Sequence, residues 1–184
     1  DSLNIRVLHH WYVDTIPNSN HPGYNGDIDN KYNEVWGYTS KGREYGFIGS
    51  TLGTHIFDVS DGSNVEEIIF IPGRVSDSLI VHRDFHDYED YLYIVADEGN
   101  SSLQIIDLRF LPDSAPVVYD SDSLIKTSHN IFIDRTSGFL YTCGGTSLRT
   151  DIATPYVTSN DLSIYSLKNP LEPELLINCK FDLD

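Results

Sequence analysis

A stretch of roughly 48 residues recurs three times along this 184-residue chain, and each copy divides into four short apolar runs. Asn33-Glu34-Val35-Trp36-Gly37-Tyr38, His82-Arg83-Asp84-Phe85-His86-Asp87 and His129-Asn130-Ile131-Phe132-Ile133-Asp134 open the three copies. The second runs are Tyr45–Gly49, Leu92–Ala96 and Leu140–Gly144; the third are Thr54–Asp58, Leu103–Asp107 and Leu162–Ser166. Glu67–Ile71, Pro116–Tyr119 and Glu174–Asn178 complete them. All are rich in β-branched and aromatic residues and bounded by Gly, Asp, Ser or Pro, as strands are. A repeat of this length with four strands matches one blade of a β-propeller. The expectation is an all-β chain of about three four-stranded antiparallel blades, a partial propeller, with units at 32–73, 78–121 and 126–182. The third unit carries a polar insertion, Ser147 to Asn160, expected to project from one face. Short turns at Leu108–Leu111 and Asp122–Ile125 are the only helix-like segments.

Residues 1–31 stand outside the repeat. Leu3 to Leu8 alternates apolar and polar side chains and reads as a lone strand, and Asp14 to Lys31 reads as a loop with Pro17, Pro22, Gly23 and Gly26. A chain that begins at Asp1 and contains no Met fits a processed protein or a fragment. Propellers typically close with four to eight blades. Three units are therefore expected to belong to something larger, to take further blades from another chain, or to close by self-association. Cys143 and Cys179 fall in the second and fourth strands of one unit, about 10 Å apart, too far for a disulfide. They are expected as buried thiols.

The formal charge of −16 removes the basic stripe that binding to nucleic acid or anionic lipid requires. No apolar run approaches the roughly 18 residues of a membrane-spanning helix.

The histidines carry the most chemistry. His82 and His129 occupy the same place in the repeat, the start of the innermost strand, and Asn33 is their counterpart in the first unit. Innermost strands line a propeller's channel, so these positions converge. Strand alternation puts His82, Asp84 and His86 on one side and Arg83, Phe85 and Asp87 on the other. Imidazoles and carboxylates meeting there suit a transition metal, with His82, His129, His86, Asp84 and Glu34 as the candidate ligands. The competing reading is that these groups satisfy buried backbone and water. Arg83 and Asp87 are expected to form a structural ion pair. Alternating oxygen side chains from Gly26 to Glu34 suggest calcium at Asp27 and Asp29, or else an Asx-rich turn. Asp97-Glu98-Gly99-Asn100 reads as a turn between strands. No G-x-S-x-G elbow, P-loop or dinucleotide fingerprint is present.

Leu103-Gln104-Ile105-Ile106-Asp107 resembles the pentapeptide of the LVIVD repeat family, with looser copies at Thr54–Asp58 and Leu162–Ser166. Tyr32–Tyr38, Ile48–Thr54, His82–Tyr88, Asp97–Asp107 and Ser128–Asp134 resemble the choice-of-anchor B proteins over most of the chain. The resemblance implies a secreted or surface-attached bacterial β-propeller. The expected function is an extracellular binding or scaffold module for a protein or glycan at a cell surface. A metal-dependent enzyme with a His-lined channel site and a structural subunit of a surface assembly are the alternatives.

Overall fold

The computed structural model describes residues 4–22, 30–149 and 156–179. The described elements are all β, in three four-stranded antiparallel sheets. The first sheet holds β1 (Tyr32–Ser40), β2 (Arg43–Ser50), β3 (Gly53–Asp58) and β4 (Glu66–Pro72). The second holds β5 (Arg83–Tyr88), β6 (Tyr91–Ala96), β7 (Leu103–Asp107) and β8 (Val117–Ser121). The third holds β9 (Asn130–Asp134), β10 (Phe139–Arg149), β11 (Tyr156–Ser166) and β12 (Glu174–Asn178). Each sheet is a simple meander in chain order, and the first strands pack against one another, β5 lying against both β1 and β9. These are propeller-like blades, and the repeat extends to their irregularities. A register shift falls between the third and fourth strands of every blade, at Ile56/Phe57, Ile105/Ile106 and Ile164/Tyr165.

Two apolar layers join the blades. Tyr45, Phe47 and Ile56 of the first blade meet Phe85, Leu92, Ile94 and Ile106 of the second. Tyr93, Val95, Leu103 and Ile105 then meet Ile131, Ile133, Leu140 and Tyr165 of the third. Alternation along each strand makes both layers possible, because successive residues point to opposite faces. Leu92 and Ile94 serve one neighbour while Tyr93 and Val95 serve the other.

Three expectations change. Residues 4–8 form no strand: Ile5 and Val7 are exposed, and Leu8 lies over Gly62. The segment is anchored by Trp11, whose ring packs on Tyr32, His55 and Phe57 at centroid distances of 5.3, 4.8 and 5.0 Å. An alternating pattern becomes a strand only when a neighbouring ladder satisfies its backbone, and among the described residues none does so. Secondly, the second and third strands of the third unit do not stop at Gly144 and Leu162 but run on into the Ser147–Asn160 insertion, with Ser147 paired to Thr158 and Arg149 to Tyr156. Thirdly, the thiols are not buried: Cys143 is exposed and Cys179 half-buried. Leu140 faces the second blade, so Cys143, three residues on, points to the outer face of the third sheet. Both cysteines are free.

The described part of the early loop is well anchored. Ile16 is buried, Thr51 Oγ1 donates to Pro17 O at 2.9 Å, and Asn20 N donates to Ser78 O at 2.8 Å. Asp27 and Asp29, the calcium candidates, lie outside the described residues.

Candidate metal centre at the start of the inner strands

The β5–β6 hairpin turns through Glu89 and Asp90, both at positive φ (48° and 64°), the signature of a two-residue type I′ turn. Counting back from that turn sets every pairing, from Tyr88↔Tyr91 to Arg83↔Ala96. The next pair is His82 with Asp97, and Asp97 N donates to His82 O at 3.2 Å. The antiparallel ladder thus brings a carboxylate to the histidine. Asp97 and its neighbour Glu98, which look like turn residues in the sequence, are functional candidates that turn length and strand register place beside His82.

Glu98 is held from three directions. Its Oε2 accepts from the backbone N–H groups of Val81 (2.9 Å) and His82 (3.0 Å), while Oε1 lies 3.0 Å from His82 Nδ1. Asp97 Oδ2 lies 2.7 Å from His129 Nδ1 and 3.9 Å from His82 Nδ1. The two imidazole rings meet edge to face at 5.1 Å. Side-chain exposure rises from 4% at Glu98 and 22% at Asp97 to 36% at His82 and 49% at His129. The cluster therefore runs from a fixed, buried carboxylate out to an accessible imidazole. Beside it, a cavity of about 440 Å³ is lined by His21, Asp97, Glu98, Gly99, Lys126, Thr127 and Thr146.

His82 and His129 converge for a reason that equivalence in the repeat does not supply. Phe85 belongs to the layer shared with the first blade, so His82, on the opposite face of β5, looks toward the third. Ile131 and Ile133 belong to the layer shared with the second blade, so His129, on their face, looks back toward it. The rings meet because they face in opposite directions. Opposite His129 on β10 stands Gly144 at φ 60°, where the second blade has Asp97, and His129 reaches across to Asp97 instead.

Among the described residues, His82, Asp97 and His129 are the one group of three His, Cys, Asp or Glu side chains close enough to share an ion, with donor atoms all within 4.8 Å of one another. Asp84, His86 and Glu34 are not brought into it. Asp84 joins the second and third blades, accepting from Ile131 N at 2.7 Å and Asn130 Nδ2 at 3.2 Å. His86 packs on Trp36 at 4.7 Å and on Phe132 at 5.3 Å, with Nδ1 donating to Asp87 O at 3.1 Å. Burial lowers its pKa, favouring the neutral ring. Glu34 accepts from the neighbouring Val35 N at 2.9 Å.

The ion pair expected between Arg83 and Asp87 does not form. Four residues along a strand span about 13 Å, so sharing a face does not bring side chains together. Arg83 instead turns into the first blade and donates to the carbonyls of Ser50, Thr51 and Val75. Asp87 accepts from Trp36 Nε1 (2.8 Å) and Arg135 (2.5 Å). Asn33, the counterpart of His82 in the first blade, ties that blade to the second through Nδ2 and Val81 O at 3.0 Å.

One further constellation was not legible in the sequence. Ser50 Oγ lies 2.9 Å from His55 Nε2, and His55 Nδ1 lies 2.7 Å from Glu67 Oε1. The order is that of a nucleophile, base and orienting carboxylate. Yet Ser50 is 0% exposed, and its Oγ accepts from the backbone N–H groups of Leu52 and Gly53. Trp11 and Phe70 cover the imidazole. A substrate cannot reach this serine, so the chain acts as a turn lock.

No family model, curated protein or solved structure matches this chain.

Proposed function

We propose that this chain is a binding module built from propeller blades, and that it recognises its ligand where the inner strands β5 and β9 begin. The observation that carries the reading is how the polar side chains are divided. Along the inner strands, Arg83, Asp84, His86 and Asp87 are buried and engaged in contacts between or within blades. At the strand starts, accessible imidazoles and Asp97 stand beside a cavity. The Ser50–His55–Glu67 chain is sealed, which favours binding over nucleophilic catalysis. The LVIVD and choice-of-anchor B resemblance supports a secreted, surface-associated role, with a protein or glycan as the ligand.

The test is retention of the purified chain on arrays of surface glycans and cell-envelope proteins, with His82→Ala/His129→Ala as comparison. We expect retention that the double variant loses while keeping its native circular dichroism. No retention on any array, or retention indifferent to the double substitution, would refute the reading.

Exposed apolar side chains on the outer blades favour a second role, association with further blades. Val35 on the first and Phe132 and Leu176 on the third are exposed, and sheet faces of this kind stack on one another. Solution mass tests this: a concentration-dependent multimer is expected, and a strict monomer at high concentration counts against it.

A further inference from the structure

We infer that His82, His129 and Asp97 bind one divalent transition-metal ion, with Glu98 as a second carboxylate beside it. The inference deepens the proposal above, since it gives the same mouth a specific chemistry, but it can fail separately.

Donor type comes first. Two imidazole nitrogens and one carboxylate oxygen suit Zn²⁺, Ni²⁺, Co²⁺ or Cu²⁺, whereas Ca²⁺ and Mg²⁺ require mainly oxygen ligands. Spacing comes next. Zinc bonds to nitrogen and oxygen are about 2.0–2.1 Å, so donors on a tetrahedral ion sit about 3.3 Å apart. Asp97 Oδ2 stands 2.7 Å from one imidazole nitrogen and 3.9 Å from the other. An ion in place of the proton that Asp97 shares with His129 would open the first distance and close the second, each by about 0.6 Å. Rotations of the exposed His129 and the half-buried His82 and Asp97 side chains supply shifts of that size.

Charge and preorganisation point the same way. Asp97 and Glu98 bring two carboxylates to the cluster, the groups that attract a divalent cation. Lys126 and His21 line the same cavity. Glu98 is already fixed by two backbone N–H groups, and its Oε1 gives up its 3.0 Å contact with His82 Nδ1 when the ion takes that nitrogen. His82 and Asp97 are locked opposite each other by strand pairing. Three protein donors leave one tetrahedral position toward solvent, open to water or to a carboxylate or imidazole from the ligand. Zn²⁺ there would act as a bridge or a Lewis acid rather than a closed structural clip.

The experiment uses the full chain, treated with EDTA and dialysed, then titrated with ZnCl₂ by isothermal calorimetry, with native mass spectrometry for stoichiometry. We expect one Zn²⁺ per chain with a Kd of about 10 µM or tighter. His129→Ala is the primary variant because its side chain is exposed and its loss leaves the core intact; it should weaken binding at least about tenfold. His82→Ala should do the same, while His10→Ala, exposed in the N-terminal segment, should leave binding unchanged. Ca²⁺ in place of Zn²⁺ should give no heat that His82→Ala or His129→Ala removes. Absence of a saturable Zn²⁺ site, or a site that survives both His82→Ala and His129→Ala, would overturn the inference. Array retention unaffected by EDTA would then leave the binding module standing without its metal.

Discussion

Arg83 offers the sharpest test of how the blades are joined. It is 4% exposed, and burial pushes its guanidinium down to about 10, which leaves it charged at neutral pH. Nε donates to Ser50 O at 2.8 Å, and Nη2 donates to Val75 O at 2.8 Å and Thr51 O at 3.3 Å. Hydrogen bonds to a charged group contribute about 1.5–3 kcal/mol each. The two short ones put the cost of Arg83→Ala at about 3–6 kcal/mol, much of it from carbonyls left without a partner. The guanidinium also occupies the space a side chain would need at Gly73, where a Cβ would fall 2.3 Å from Nη2 and 2.5 Å from Nη1. Gly73→Ala must therefore push the guanidinium off at least one short bond, costing about 2–3 kcal/mol. In an Arg83→Ala background that obstruction is gone, and the same substitution should cost under about 0.5 kcal/mol. The double-mutant cycle should show a coupling of about 2 kcal/mol, read from urea unfolding followed by tryptophan fluorescence at constant m. If Arg83→Ala leaves too little native protein, Arg83→Lys closes the same cycle. Additivity within about 0.5 kcal/mol would refute the reasoning.

Asp84→Ala should destabilise the chain by about 2–4 kcal/mol because Ile131 N loses its acceptor, with Asp84→Asn costing less; equal losses in urea midpoint would count against the assignment. Stability should fall on acidification because of His86. Its folded pKa is lowered, so its contribution is complete above the unfolded value of about 6.5 and is lost as pH falls through the folded one. The slope reaches at most about 1.4 kcal/mol per pH unit, and His86→Phe should flatten the wild-type dependence between pH 7.5 and 5.5; an unchanged slope would exclude His86 as its source. A chromogenic disulfide should titrate one fast thiol, Cys143, and one slower thiol, Cys179, in the native chain; equal rates would contradict the described exposures. Fluorophosphonate should not label native Ser50, and Ser50→Ala should cost about 1–2 kcal/mol from orphaned N–H groups; labelling would make the Ser50–His55–Glu67 chain an active site.

What the sequence revealed divides along local and non-local lines. Strand positions were readable because β-branched runs between turn residues carry their own signal, and the repeat gave three independent looks at each strand. The segment at residues 4–8 shows the limit, since its alternation is strand-like while no ladder partner lies beside it among the described residues. His82 and His129 were found through the repeat, yet they meet because β5 and β9 present opposite faces, which only packing decides. Asp97 escaped because its role depends on pairing rather than on neighbours in sequence. The Arg83–Asp87 pair failed on strand rise: spacing that joins side chains on a helix separates them on a strand.

The Glu89–Asp90 turn has a consequence for how such a chain tolerates change. It lies seven residues from His82, about 23 Å along the strand, and touches none of the cluster. Substitutions at the turn should pass almost unnoticed at the far end. A single inserted residue would instead slide β6 by one position and carry Asp97 and Glu98 to the wrong faces of the sheet. Length and a left-handed backbone are what this distant corner contributes, so it should accept only residues that tolerate positive φ and stay closed to gaps.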